Sequence, residues 1–147
     1  MTTTSAAVLT SESVFVGQTR EVVVVDDLTR TQIVQYAGAS GDYNPLHTDE
    51  PYATKVAGYD TVIAHGMLTM GLTGKAVTDW VGAGTLLRYG VRFKSPVFPG
   101  DTLTTRLAVK SVETASAGAT VTIAVETVNA SGTTVVSGEA VAQLSSR

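Results

Sequence analysis

Between Leu87 and Lys94 the chain alternates: Leu87, Tyr89, Val91 and Phe93 are apolar or aromatic, and Arg88, Gly90, Arg92 and Lys94 stand between them. A period of two marks a β-strand with one covered face. Three more strands follow: one through Leu103, Leu107 and Val109, one through Val121, Ile123 and Val125, and one from Val135 through Ala140 to Leu144. Turns are expected at Pro96–Asp101, Ala115–Gly118 and Asn129–Gly132, so the four read as a meander. An earlier β-branched run, Glu21 to Val25, predicts a strand before them. Thr29 and Gln32 have the spacing of a capping box, opening a helix through Ile33, Val34 and Ala37 that stops near Gly41. Asp49 and Pro51 predict a second, short helix over Glu50 to Val56.

The longest helical stretch is about Gly66 to Val81. Met67, Leu68, Met70, Leu72, Ala76, Val77, Trp80 and Val81 cover most of its circumference. A helix apolar nearly all round is a buried helix, and in this chain it needs a sheet around it. The order predicts an α+β domain in which an antiparallel sheet of about five strands wraps one long buried helix. Residues 1–12 are small and polar and are expected to form a flexible tail, leaving 13–147 as a single domain.

Composition narrows the classes. The 147 residues are 44% hydrophobic and 16% charged, with a net charge of −3 and no basic run. That suits one compact domain and excludes a nucleic-acid backbone as partner. No apolar run reaches the length of a membrane span, so no membrane association is expected. Cysteine is absent, which removes disulfides, thiolate metal sites and cysteine nucleophiles. The N-terminus lacks the basic start and apolar core of a secretion signal, and a cytoplasmic location is the expectation.

Candidate chemistry concentrates in Tyr36 to Asp49, YAGASGDYNPLHTD. Gly41 can adopt the backbone angles that end a helix, and Pro45 restricts both itself and Asn44, so the loop is stiff and non-helical. It presents a carboxylate, Asp42, and an imidazole, His47, as a pair suited to acid–base work near neutral pH. The same residue types also make ordinary turns, and that alternative stands at this point. Ser40 beside the pair suggests a hydrolase triad, but no G-x-S-x-G elbow is present.

The loop and the later Ala64-His65-Gly66-Met67 carry a specific resemblance. Tyr36, Gly41, Asp42, Asn44, Pro45, Leu46, His47 and Asp49 match the signature of the MaoC-like, R-specific enoyl-thioester hydratase family of the hot-dog fold. His65-Gly66-Met67 and Arg92-Phe93 ahead of Pro99-Gly100-Asp101-Thr102-Leu103 match it too. The likeness covers about residues 13 to 145. Within the family, AHGMLTMG and VTDWVG resemble most the catalytic β subunit of the 3-hydroxyacyl-ACP dehydratases of mycolic-acid synthesis. There, a catalytic chain pairs with a relative lacking the Asp/His pair. One departure stands out. Some members carry a serine at about Gly71 that holds the aspartate; here Thr69 or Thr73 substitutes, or nothing does.

The resemblance implies reversible dehydration of (R)-3-hydroxyacyl thioesters to trans-2-enoyl thioesters, with Asp42 and His47 as catalytic residues. In that direction His47 takes the α-proton and Asp42 holds the β-hydroxyl, although the sequence leaves the division of protons open. The backbone N–H of Gly66, at a helix N-terminus, is suited to the thioester oxygen. Asn44 and His65 complete the substrate-binding group, Asn44 bracing the loop and His65 making a structural hydrogen bond. No metal or other cofactor is expected, since His47 and His65 lack helical ligand spacing and the reaction needs none. Arg88, Arg92 and Lys94 share a strand face that either docks CoA phosphates or an acidic carrier protein, or is merely solvated. Met67, Met70, Leu72 and Trp80 are tunnel lining or core. The expected partners are an acyl-CoA or acyl-ACP substrate and a second hot-dog chain, identical or related. The alternatives are a non-catalytic acyl-thioester-binding subunit and a hot-dog thioesterase.

Overall fold

A computed structural model describes residues 7–82 and 85–146. The elements are β1 (Thr19–Val25), α1 (Arg30–Ser40), α2 (Gly66–Val81), β2 (Leu86–Phe93), β3 (Leu103–Ala115), β4 (Gly118–Asn129) and β5 (Thr134–Ser145), with short helical turns at Pro45–His47 and Tyr52–Val56. The five strands form one antiparallel sheet in the order β1-β3-β4-β5-β2. With α2 laid across it, this is the hot-dog arrangement that the resemblance implied.

The expected four-strand meander is corrected here. Only β3, β4 and β5 are sequential neighbours; β2 pairs with β5 at one edge and β1 with β3 at the other. The connections explain the order. Two residues separate Ala115 from its partner Gly118, and Asn129 caps the next turn by accepting from the N–H groups of Ser131 and Thr133. Tight turns of this kind oblige adjacent strands to pair. The Lys94–Thr102 connection carries Pro96 and Pro99 and cannot close a hairpin, so it carries the chain over the end of the sheet instead.

Two cores hold the layers together. Ala76, Val77, Trp80 and Val81 of α2 pack on Leu107, Val109, Val121, Ile123, Val125, Ala140, Ala142 and Leu144 of the sheet. Under the loop region, Val25, Leu28, Ile33, Ala64, Val97, Leu103 and Val135 form a second cluster. The first core also takes in Leu9, 4% exposed, whose N–H donates to the Trp80 carbonyl at 2.8 Å. The segment expected as a tail therefore docks from Leu9 onward, because it carries one large aliphatic side chain; residues 1–6 lie outside the described residues.

The sheet covers one side of α2 and leaves the other open. Gly66, Met67, Gly71, Lys75 and Asp79 are exposed, Met67 to 55%. On the covered side, Thr73, Thr105 and Thr127 are fully buried and chain their hydroxyls, the Thr127 Oγ1 lying 2.7 Å from each of the other two.

Candidate active site

Helix α1 delivers the chain into the loop through a defined stop. Thr29 and Gln32 make the reciprocal capping box at its start, and Gly41 ends it in the left-handed conformation (φ 74°), its N–H donating to Ala37. From there short polar turns fix the backbone. Asp42 Oδ1 accepts from the Asn44 N–H at 3.2 Å, and Asn44 Oδ1 accepts from the Leu46 N–H at 3.0 Å. Pro45 then opens the turn that carries His47. Three hydrogen bonds that sequence spacing did not reveal close the base of this loop. Arg30 on α1 donates to Glu50 at 2.7 Å and to Thr61 at 2.8 Å, and Thr61 donates to Glu50 at 3.1 Å. The Arg30 guanidinium, helped by Thr61, holds the Glu50 carboxyl below the usual carboxylate range. Nothing local links positions 30, 50 and 61, so only the fold could bring them together.

Asp42 and His47 face each other. The Asp42 side chain is 54% exposed and that of His47 10%, with Oδ2 and Nε2 3.9 Å apart. His47 Nδ1 lies 2.7 Å from the Ile63 carbonyl oxygen, which can only accept, so Nδ1 carries the hydrogen and Nε2 presents its lone pair toward Asp42. A separation of 3.9 Å is too long for a direct hydrogen bond. One oxygen atom between the two groups can make bonds of about 2.8 Å to both.

His65 completes the cluster. It is 2% exposed, its ring stacks on His47 with centroids 3.7 Å apart at 23°, and Tyr36 meets it edge-on at 4.8 Å. Its Nε2–H donates to the backbone carbonyl of Asp42 at 3.0 Å, while its buried Nδ1 has no partner among the described residues. Asp42, His47 and His65 bring ligand-type atoms within 4.8 Å of one another, which raises the question of a metal. The geometry does not fit one. Two imidazoles stacked face to face, with centroids 3.7 Å apart at 23°, do not converge edge-on on a common centre as the histidines of a tetrahedral site do.

The next residue along, Gly66, is the first of α2, and its N–H has no hydrogen-bond partner among the described residues. A side chain there would meet the Phe93 ring at 3.1 Å, so glycine keeps the backbone approachable. Gly66, Thr69, Phe93, Lys94 and Val136 are among the residues lining a cavity of about 280 Å³. On the open side of α2, Tyr36, Met67, Met70, Gly71, Gly74 and Tyr89 line a wider apolar depression. Asp42 and His47 line neither. Trp80, by contrast, belongs to the core.

The remaining candidates separate. Thr73 bonds to Thr127, and among the described residues neither Thr69 nor Thr73 bonds to Asp42, so nothing replaces the family serine; the space beside Gly71 is empty. Arg88 pairs with Glu139 at 3.1 Å and, with Arg92, borders a groove around Gly90 and Gly138. Lys94 instead lines the cavity with Gly66. The twist of β2 and its end at Phe93 place the three basic residues in different surroundings, which alternation alone did not distinguish.

Comparison with known proteins agrees with the fold. The chain is 40% identical over 84 residues to 3-hydroxyacyl-thioester dehydratase Y of Mycobacterium tuberculosis, covering 55% of this chain but only 29% of that longer protein. It is 35% identical over 115 residues to the (R)-specific enoyl-CoA hydratase of Aeromonas caviae, covering 77% of this chain and 84% of that one. Among solved structures, the R-hydratase PhaJ1 of Pseudomonas aeruginosa superimposes with a TM-score of 0.81 at 31% identity, over 93% of this chain and 86% of its own. The family model described as "MaoC like domain" matches residues 12–131, and the chain belongs to that family.

Proposed function

We propose that this protein is a hydro-lyase that reversibly interconverts (R)-3-hydroxyacyl and trans-2-enoyl thioesters. The observation that carries the reading is the gap between Asp42 Oδ2 and His47 Nε2, sized for one shared oxygen with the imidazole lone pair directed into it. In the hydration direction that oxygen is water, donating one hydrogen to each group; in dehydration it is the 3-hydroxyl, donating its one hydrogen to Asp42 and leaving the Nε2 lone pair to C2. Dehydration then runs as follows. His47 Nε2 removes the proton from C2, and its electron pair forms the C2–C3 double bond. The C3–O bond breaks, and the departing oxygen gains a proton from the pair and leaves as water. Charge that develops on the thioester oxygen is met by the Gly66 N–H at the positive end of α2. Support comes from relatives named as a hydratase and a dehydratase of acyl thioesters.

The substrate carrier is CoA or an acyl carrier protein, and Lys94 at the cavity is the basic residue placed to meet its phosphate or acidic surface. Arg88 is occupied by Glu139. The protein works as a dimer with a second hot-dog chain, identical or related. Met67, Leu87 and Phe93 are exposed beside the open face of α2 and the unpaired edge of β2, and such an edge is normally covered. Among the described residues no helix is long and apolar enough to cross a membrane, and a cytoplasmic location is part of this reading.

The test follows the conjugated-enoyl absorbance of crotonyl-CoA and a long-chain enoyl-CoA with wild type, Asp42→Asn and His47→Gln. Loss of the chromophore in wild type alone supports the proposal. Full activity in either variant would refute the pair, and release of free thiol would reveal a thioesterase instead.

A further inference from the structure

His65 is buried, belongs to no part of the proton transfer just described, and carries a polar atom that nothing among the described residues satisfies. A residue present only to fill space would not bring an unmet acceptor with it, since buried polar atoms without partners are rare and costly. What the imidazole does bring is two contacts, an N–H donor and a ring face, and the backbone of the same residue adds a third link to the site. Its Nε2–H holds the peptide carbonyl of Asp42, the acid. Its ring face lies on His47, the base. Its own backbone forms the N-cap of α2, so it immediately precedes the free Gly66 N–H.

On the strength of the hydro-lyase reading, we infer that His65 is a positioning residue, setting the separation of Asp42 and His47 through its Nε2–H bond to the Asp42 carbonyl and its stack on the His47 ring. It touches no reacting atom. Asp42 has little else to hold it: its side chain is half exposed, accepts from Asn44 within the same loop, and lacks the hydroxyl partner that some relatives supply. The anchor for the acid is therefore on its backbone. The loop side of that anchor is the Asp42 carbonyl, and the protein side is an imidazole wedged between His47 and Tyr36. The unpartnered Nδ1 is the consequence of that tautomer, because Nε2 must carry the hydrogen to donate to a carbonyl.

Two substitutions divide the contacts. His65→Phe keeps a ring for His47 to stack on and removes the donor; His65→Gln keeps an N–H donor at similar reach and removes the ring. Melting temperature, kcat, KM and the carbon-13 resonance of the Asp42 carbonyl are measured for wild type and both variants. The expected result is a kcat about 10–100-fold lower in His65→Phe with KM within about two-fold, the signature of lost geometry rather than lost substrate binding. The Asp42 carbonyl resonance shifts in His65→Phe and returns toward wild type in His65→Gln, which also regains part of the lost kcat. Wild-type kcat in His65→Phe, a loss confined to KM, or a Gln variant no better than Phe would overturn the inference. Should His65→Phe fail to fold, His65→Gln decides alone: a wild-type carbonyl resonance and partly retained kcat support it, and a displaced resonance with unchanged kcat overturns it. Absence of turnover in wild type would instead overturn the hydro-lyase reading, while the Asp42 resonance still reports on the His65 contact.

Discussion

Replacing Gly66 by proline removes one hydrogen atom from the site and little else. Gly66 is the first residue of α2, a position where proline is favoured because its missing N–H has no helical acceptor. His65 before it has φ −60° and ψ 134°, the extended conformation that a residue preceding proline adopts. The added carbons meet Phe93, at 3.1–3.3 Å, but that ring is 53% exposed and free to turn aside. Gly66→Ala makes the same contact and keeps the N–H, so the pair of variants separates crowding from hydrogen bonding. Stability of the two should agree within about 1 kcal/mol, proline gaining a little from its restricted unfolded chain. Activity should not agree. Loss of one donor to a developing oxyanion costs about 10²–10³ in kcat, or about 2.7–4 kcal/mol of transition-state stabilisation. The assay is enoyl-CoA hydration followed by absorbance, with melting temperature as the control for folding. A Gly66→Pro enzyme within about three-fold of Gly66→Ala in kcat would refute the assignment of this N–H to the thioester oxygen.

Three further outcomes follow from the packing. Thr127→Val strands the buried Thr73 and Thr105 hydroxyls, costing about 1–3 kcal/mol and lowering the melting temperature by several degrees. Valine at all three positions should recover most of that loss, and an unchanged single variant would show that the chain of hydroxyls is not what holds these residues. Ile123→Ala empties the centre of the main core, where the side chain is fully buried, and should cost about 2–5 kcal/mol in urea denaturation with no change in KM for the surviving folded enzyme. Burial pushes the Tyr89 phenol up to about 12 from its ordinary 10.0, while its hydroxyl donates to the Met70 carbonyl. A folded pKa above the unfolded one gives stability that is complete below pH 10 and lost as pH rises through about 12. Tyr89→Phe should therefore lose stability less steeply over that range, and parallel curves for the two proteins would refute the assignment.

Much of the fold could be read without coordinates. The capping box at Thr29 and Gln32, the stop at Gly41, the extent of α2 and the alternating strands are local signals, set by hydrogen bonding and side-chain period over a few residues. Strand order was not local. Alternation shows that β2 is a strand, but its neighbour depends on whether the connection behind it can turn tightly, and the two prolines after Phe93 send it past β3 to β5. The loop residues were legible because glycine admits backbone angles closed to other residues and proline fixes its own, whatever surrounds them. The Arg30–Glu50–Thr61 clasp was invisible, since its members come from three segments that meet only after folding.

The same division runs through the site. By itself the sequence determined that a carboxylate and an imidazole share one stiff turn, because Asp42 and His47 lie five positions apart in it. It also determined that an apolar helix begins at Gly66. Tertiary structure alone decided that His47 turns its Nδ1 to the Ile63 carbonyl and its lone pair to Asp42, that His65 stacks beneath it, and that Lys94, but not Arg88, comes to the cavity. Tautomer, separation and surroundings depend on partners that are distant along the chain. Local periodicity carries no information about those distances, and only the assembled sheet with α2 across it sets them.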